Sequence, residues 1–238
     1  MSIEMKFGLI IPSSNTNMEA EFWKMALGWA TVHTARARLK EISLENLEEM
    51  EVEMLEAALR LADVDIDVLA YGCTTGSLFR GKEHGREIEQ KLKKRTGIPA
   101  VATAQAMIDA LVALKISRVC IATPYNEDIN RMEKRFIEQN GIEVLRIQGL
   151  GIVENKEVGR KGPDAAYELG LKIFIPETQG IFISCTNFRT IEILDQLENE
   201  LRVPVISSNT ATFWSMMKKA GIQKKLMGYG SLLEKISS

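Results

Sequence analysis

Two cysteines carry most of the chemistry this sequence can offer. Cys73 lies in "YGCTTGS" and Cys185 in "FISCTNFRT", each directly after an apolar run and before small polar residues. They are 112 residues apart, and the same offset relates Pro12 of "GLIIPSSN" to Pro124 of "VCIATPYN". A third pair, "TGIPAVATAQAMIDALVALKI" and "LRVPVISSNTATFWSMMKKAGI", corresponds at an offset of 105. The chain therefore reads as two similar units, each supplying one thiol at the same point. A cysteine where a strand hands over to a helix has its thiolate favoured by unpaired N–H groups. Facing each other across a small substrate, two such thiols can remove and return a proton on opposite faces of a carbon, which racemises it. Alternatively, one can add to a double bond while the other handles the proton. Cys120, inside the apolar "RVCIAT", is expected to be a packed core thiol instead.

The elements that must position these thiols are legible as short runs rich in Ile, Val and Leu alternating with amphipathic helical patterns, an α/β arrangement with mostly parallel sheets. Strands are expected at "KFGLII" (from Lys6), "TVHTARA" (Thr31), "IDVLAY" (Ile66), "AVAT" (Ala100), "RVCIAT" (Arg118), "IEVLRIQG" (Ile142), "GIFIS" (Gly180) and "PVIS" (Pro204). The clearest helix is "SLENLEEMEVEMLEAALRLAD", capped near Ser43, with Leu44, Leu47, Met54, Leu55, Leu59 and Leu61 on its apolar side. No Gly/Ser-rich or Pro-rich linker separates the halves, so they should pack closely. In open parallel sheets ligands bind beyond the carboxyl ends of the strands, where "PSSNTN", "GCTTGS", "TPYNED" and "SCTNFRT" all fall. Helix N-termini with Ser, Thr and Asn side chains there would receive a carboxylate without many arginines.

The totals exclude several alternatives. The 238 residues are 45% apolar and 26% charged with a formal net charge of −2, which gives no basic field for nucleic acid or anionic membrane. The "KLKKR" cluster from Lys91 is expected to be a solvated helix face. "FGLII" is too short for a signal or membrane segment, so cytoplasmic residence is expected. Three cysteines without CxxC spacing and two distant histidines, His33 and His84, offer neither a disulfide framework nor a metal site. Neither GxGxxG nor GxxxxGK[ST] occurs. Phe22, Trp23 and Trp29 are expected in the core rather than at an interface.

Taken in order, "GLIIPSSNTNME", "DVLAYGCTTGS", "TPYNEDIN", "GLGIVENKEVGR" and "SCTNFRT" resemble the maleate cis-trans isomerase and arylmalonate decarboxylase branch of the aspartate/glutamate racemase superfamily, from Phe7 to about Gly221. The resemblance implies two Rossmann-like (flavodoxin-like) parallel-sheet domains related by a pseudo-twofold, with the active site between them. It implies a homo-oligomer, dimer or tetramer, that uses no cofactor and no metal and acts on a small dicarboxylate. By analogy, residues 1–95 with 207–238 form the first lobe, and 96–206 the second. Cys73 matches the nucleophile and Cys185 the proton donor and acceptor. Asn15 and Asn155 match the carboxylate-binding asparagines and Tyr125 the tyrosine of the pocket; Ser14 is expected to bind substrate with them, and Thr74, Thr75, Thr186 and Asn187 to start helices whose N–H groups also receive its carboxylates. Arylmalonate decarboxylases have glycine at the first cysteine position, so Cys73 argues for a two-thiol reaction. The expected reaction is isomerisation of maleate or a similar unsaturated dicarboxylate through a succinyl-thioether. The alternatives are a two-cysteine racemase of an amino acid or related small acid, an arylmalonate-type decarboxylase, and a non-catalytic small-anion binder.

Overall fold

The computed structural model describes residues 5–39, 41 and 43–235. The first half runs β1 (Met5–Pro12), α1 (Met18–Ala26), β2 (Ala30–Ala37), α2 (Leu44–Ala62), β3 (Val68–Tyr71), α3 (Thr74–Leu78), α4 (His84–Thr96), β4 (Ala100–Ala102) and α5 (Thr103–Ala113). The second runs β5 (Arg118–Thr123), α6 (Glu127–Gln139), β6 (Glu143–Gly149), α7 (Asn155–Gly159), α8 (Pro163–Ile173), β7 (Gly180–Ile183), α9 (Leu194–Leu201), β8 (Val205–Ser207), α10 (Ser208–Lys219) and α11 (Ser231–Glu234). Two four-stranded sheets result, ordered β2-β1-β3-β4 and β6-β5-β7-β8, with every pairing parallel. Every strand expected from sequence is present, and the identical orders bear out the repeat. Strands β3, β4, β7 and β8 are buried along their whole length, so they appear in sequence as unbroken apolar runs.

β4 hydrogen-bonds to β3, so the first sheet extends past the residue 95 expected to end that part of its lobe. The chain crosses over after α5, which packs against its counterpart α10. α10 starts at a capping box: Ser207 Oγ accepts from Thr210 N (3.2 Å) while Thr210 Oγ1 accepts from Ser207 N (3.0 Å). It then sends Phe213 into the first half, edge-on to Phe7, Phe22 and Trp29. One apolar cluster spans both halves through α1, α5, α6 and α10, while outer clusters lie under α2 and α4 on one side and α8 and α9 on the other.

Two expectations are corrected. In α2, Ser43 does cap, accepting from Asn46 N at 3.3 Å, but Leu44 is exposed. The buried stripe instead runs Leu47, Met50, Met54, Ala57, Ala58 and Leu61, because small side chains at 57 and 58 let the helix approach its sheet. Phe22 and Trp29 are core residues, but Trp23 is 42% exposed: one position past Phe22, it turns off the buried face of α1. The "KLKKR" cations are exposed at the end of α4 around buried Leu92, and Gly97 closes that helix in the left-handed conformation (φ +77°).

Candidate active site

The site lies where the carboxyl ends of the two sheets meet. Cys73 follows β3 and caps α3: its sulfur accepts from Gly76 N at 3.3 Å and lies 3.7 Å from Thr75 Oγ1. Thr74 and Thr75 open α3, as expected. Gly76 is forced by crowding, since a Cβ there would sit 3.0 Å from the Cys73 sulfur and 2.8 Å from Tyr71 Oη.

Cys185 departs from its counterpart. Thr186 and Asn187 were expected to open a helix, but the chain forms a turn there, and the next helix begins only at Leu194. The cause is local: Cys185 takes φ +89°, a left-handed value unusual for a side-chain-bearing residue, whereas Cys73 is extended at φ −140°. Ser208 Oγ holds the strained residue by accepting from Cys185 N at 3.0 Å, and it also accepts from Thr74 Oγ1 at 3.0 Å. The first residue of α10 thus ties both cysteine segments together. The Cys185 sulfur accepts from Asn187 N at 3.4 Å.

The remaining candidates converge from both halves. Asn15, just after β1, donates from Nδ2 to Thr186 Oγ1 (3.1 Å), and its Oδ1 accepts from Asn17 N and Met18 N. Thr186 Oγ1 donates to Gly72 O (3.1 Å). Asn155, the first residue of α7, donates to Ser14 Oγ (2.8 Å), and Ser14 donates to Leu39 O. Asn187 Nδ2 donates to Asn155 O (2.7 Å), while its Oδ1 accepts from Thr16 N (2.8 Å). Asn15 and Asn155 each commit one amide hydrogen to these bonds and keep a second for a ligand. Tyr125 follows β5, is buried, and presents its hydroxyl to the Cys185 sulfur.

The electrostatics differ from the expectation that helix ends would favour thiolates. Burial pushes both thiols up, Cys185 to about 12, against the lowering effect of the Tyr125 hydroxyl and Asn187 N–H. For Cys73, burial likewise outweighs the Gly76 N–H and the Thr75 hydroxyl. Charge on Cys73 raises Cys185 further, so the two sulfurs sense each other, and Tyr125 senses both. Burial also lifts the Tyr125 phenol well above 10, keeping it a neutral donor. The arrangement rests with both thiols holding their protons, beside neutral donors for an anion.

Outside the site, Cys120 is a core thiol, 2.8 Å from Thr178 Oγ1. His84 is buried edge-on to Phe79, and His33 bonds to Thr31. Among the described residues no helix is long and apolar enough to cross a membrane. Sequence reasoning missed Tyr71, Ser208 and two buried glutamates, Glu21 and Glu133. The glutamates are themselves 112 residues apart, so the repeat could have pointed to them.

Comparison with known proteins gives the same order of motifs a family. The chain is 28% identical to a maleate isomerase of Geobacillus stearothermophilus over 98% of both chains, and 27% identical to an arylmalonate decarboxylase of Bordetella bronchiseptica over 82% of this chain and 83% of that one. The crystal structure of a maleate isomerase from Pseudomonas putida S16 with maleate superposes with a TM-score of 0.93 at 27% identity, covering 97% of both chains. The arylmalonate decarboxylase family model matches residues 7–233, which take in all but the first two residues of β1, the other seven strands and both site cysteines, and the chain belongs to that family.

Proposed function

We propose that this protein is a cofactor-independent cis-trans isomerase of maleate or a similar short unsaturated dicarboxylate. The observation that carries the reading is the meeting of Cys73 and Cys185, buried, electrostatically coupled and supplied from equivalent ends of two sheets. A decarboxylase with a single thiol has no use for the first. The maleate isomerases that align along nearly the whole chain support the same reaction class.

The proton inventory assigns the roles. Cys185, held up to about 12, keeps its proton, while Cys73, whose sulfur has the Gly76 N–H and the Thr75 hydroxyl to receive charge, releases its own proton to solvent and attacks as the thiolate. Its sulfur bonds to one alkene carbon, the π pair moves to the other, and that carbon takes the Cys185 proton, leaving a succinyl-thioether and a Cys185 thiolate. Rotation about the new single bond follows. Cys185 then recovers the proton, the alkene re-forms as the trans isomer, and Cys73 leaves as thiolate. Nothing is consumed, so no redox or group-carrying cofactor is required. Charge delocalised into the adjacent carboxylate is received by the second amide hydrogens of Asn15 and Asn155 and by the Tyr125 hydroxyl, donors that cost no reorganisation. Ser14, Thr74, Thr75, Thr186 and Asn187 hold these groups in place.

Proton NMR of the reduced protein with maleate tests the reading. A fumarate signal lost in both Cys73→Ala and Cys185→Ala is expected. An unchanged maleate spectrum from folded protein rejects that substrate, and exchange of an α-hydrogen with deuterated water on a small amino acid would replace isomerisation by racemisation. The reading includes a cytoplasmic homo-oligomer, for which light scattering supplies the mass.

A further inference from the structure

The turn that carries Cys185 lacks the helical bonds that steady its counterpart. After Cys73, Ser77 N reaches Cys73 O and Phe79 N reaches Thr75 O, so α3 supports itself. After Cys185 the chain leaves a left-handed residue and runs to Ile193 without a helix. A carboxylate from the other half holds it. Glu21 of α1, buried, accepts from Thr190 N (2.6 Å) and Ile191 N (3.2 Å) on Oε1. Its Oε2 accepts from Asn209 Nδ2 (2.6 Å) and from Thr190 Oγ1 (3.4 Å). Asn209 Nδ2 also donates to Thr186 O at 3.1 Å. One side chain therefore fixes the far end of the turn directly and the near end through Asn209.

We infer that Glu21 is a positioning residue for Cys185, a cross-lobe clamp that fixes where the second thiol stands relative to the first. The repeat supplies an internal control. Glu133 occupies the equivalent position on α6, which packs against α3, yet among the described residues no donor of the Cys73 segment reaches its oxygens, and only the Ser184 hydroxyl lies beside them. The clamp is built only on the side where the cysteine segment cannot hold itself as a helix. Four donors on one carboxylate call for the ionised form, since a protonated oxygen would turn a donor toward an N–H. Burial opposes that and, with Glu192 nearby, lifts Glu21 to about 7, so the clamp weakens as pH falls through neutrality; Arg189 is the cation facing it.

The inference rests on the two-thiol reading, but its test need not. Glu21→Gln keeps the volume and replaces one acceptor oxygen by an amide that cannot accept. Iodoacetamide alkylation of each cysteine, followed by peptide mass spectrometry across pH 6 to 10, should show Cys185 changed tenfold or more and Cys73 within twofold, with Glu133→Gln altering neither. With maleate, kcat should fall on the order of a hundredfold with KM within threefold, because Cys185 acts after binding. Asn209→Ala, which loses the bridge to Thr186 and leaves the Thr190 and Ile191 bonds, should move Cys185 in the same direction by less, and it carries the test if Glu21→Gln fails to fold. Equal changes at both cysteines, or none, would overturn the clamp. Selective change at Cys185 in a protein inert toward maleate would leave the clamp standing and remove the isomerase.

Discussion

Replacing Glu133 by glutamine should stabilise the protein at alkaline pH and do little in acid. Glu133 is fully buried and has only the Ser184 hydroxyl beside its oxygens, while nearby Asn130 Nδ2 lacks a partner among the described residues. Burial lifts its carboxyl from 4.5 to about 7, with Ser184 the only group drawing it down. The sign follows from where the proton sits. Below 4.5 the group is neutral in both states and contributes nothing. Between 4.5 and about 7 the unfolded chain ionises while the folded one does not, so stability drains away as pH rises and the full cost stands above 7. At about 1.4 kcal/mol per pH unit the cost is roughly 3 kcal/mol. Glutamine has the same shape and no charge to bury. Urea titrations of reduced protein, followed by circular dichroism at pH 4, 5, 6, 7 and 8, should give nearly coincident midpoints at pH 4, separating through pH 5 and 6 to a Glu133→Gln midpoint about 1 M higher at pH 8, taking m as about 3 kcal/mol/M. Glu21 is common to both proteins and cancels. A difference constant with pH, or a variant less stable at pH 8, would refute the reasoning.

Gly76→Ala should fold but lose at least tenfold in kcat, because the new methyl meets the Cys73 sulfur and Tyr71 Oη at about 3 Å; steady-state kinetics beside a melting curve checks it. Cys120→Ala should keep its activity within twofold, since that thiol packs against Thr178 in the second-lobe core and not in the site; the same assay decides. Phe213→Ala should cost about 3–5 kcal/mol in denaturant unfolding, having removed the ring that three other aromatics meet edge-on at 5.0–6.0 Å. Asn155→Ala should raise KM for the dicarboxylate tenfold or more and free Ser14 from its partner.

How much of this was legible beforehand follows from periodicity. The fully buried parallel strands β3, β4, β7 and β8 are continuous apolar runs and so were readable, and the repeat implied matching sheets before either was seen. Both cysteines and Asn15 follow closely on strand ends, where a polar residue interrupts an apolar run and so announces itself, whereas Asn155 opens α7 beyond the end of β6. Glu21 and Glu133 were not legible because a glutamate on an amphipathic helix has the same letter whether it faces water or a core. The turn at Cys185 was not legible either: a left-handed cysteine leaves no compositional mark, and its support comes from residues up to 171 positions away. Trp23 and Leu44 show the converse, apolar letters that the packing leaves outside.

The reach of α10 back into the first half sets the order in which the chain can finish folding. By residue 113 the ribosome has released all four strands of the first sheet, yet Phe7, Phe22 and Trp29 still lack Phe213, which arrives a hundred residues later. The first lobe must wait with an open apolar face while the second is synthesised, so the two cannot mature as independent units. Truncation before α10 would leave a complete sheet and an aggregating protein. The same delay has a use: no thiol pair is assembled until the last long helix, which carries Ser208 and Asn209, has docked.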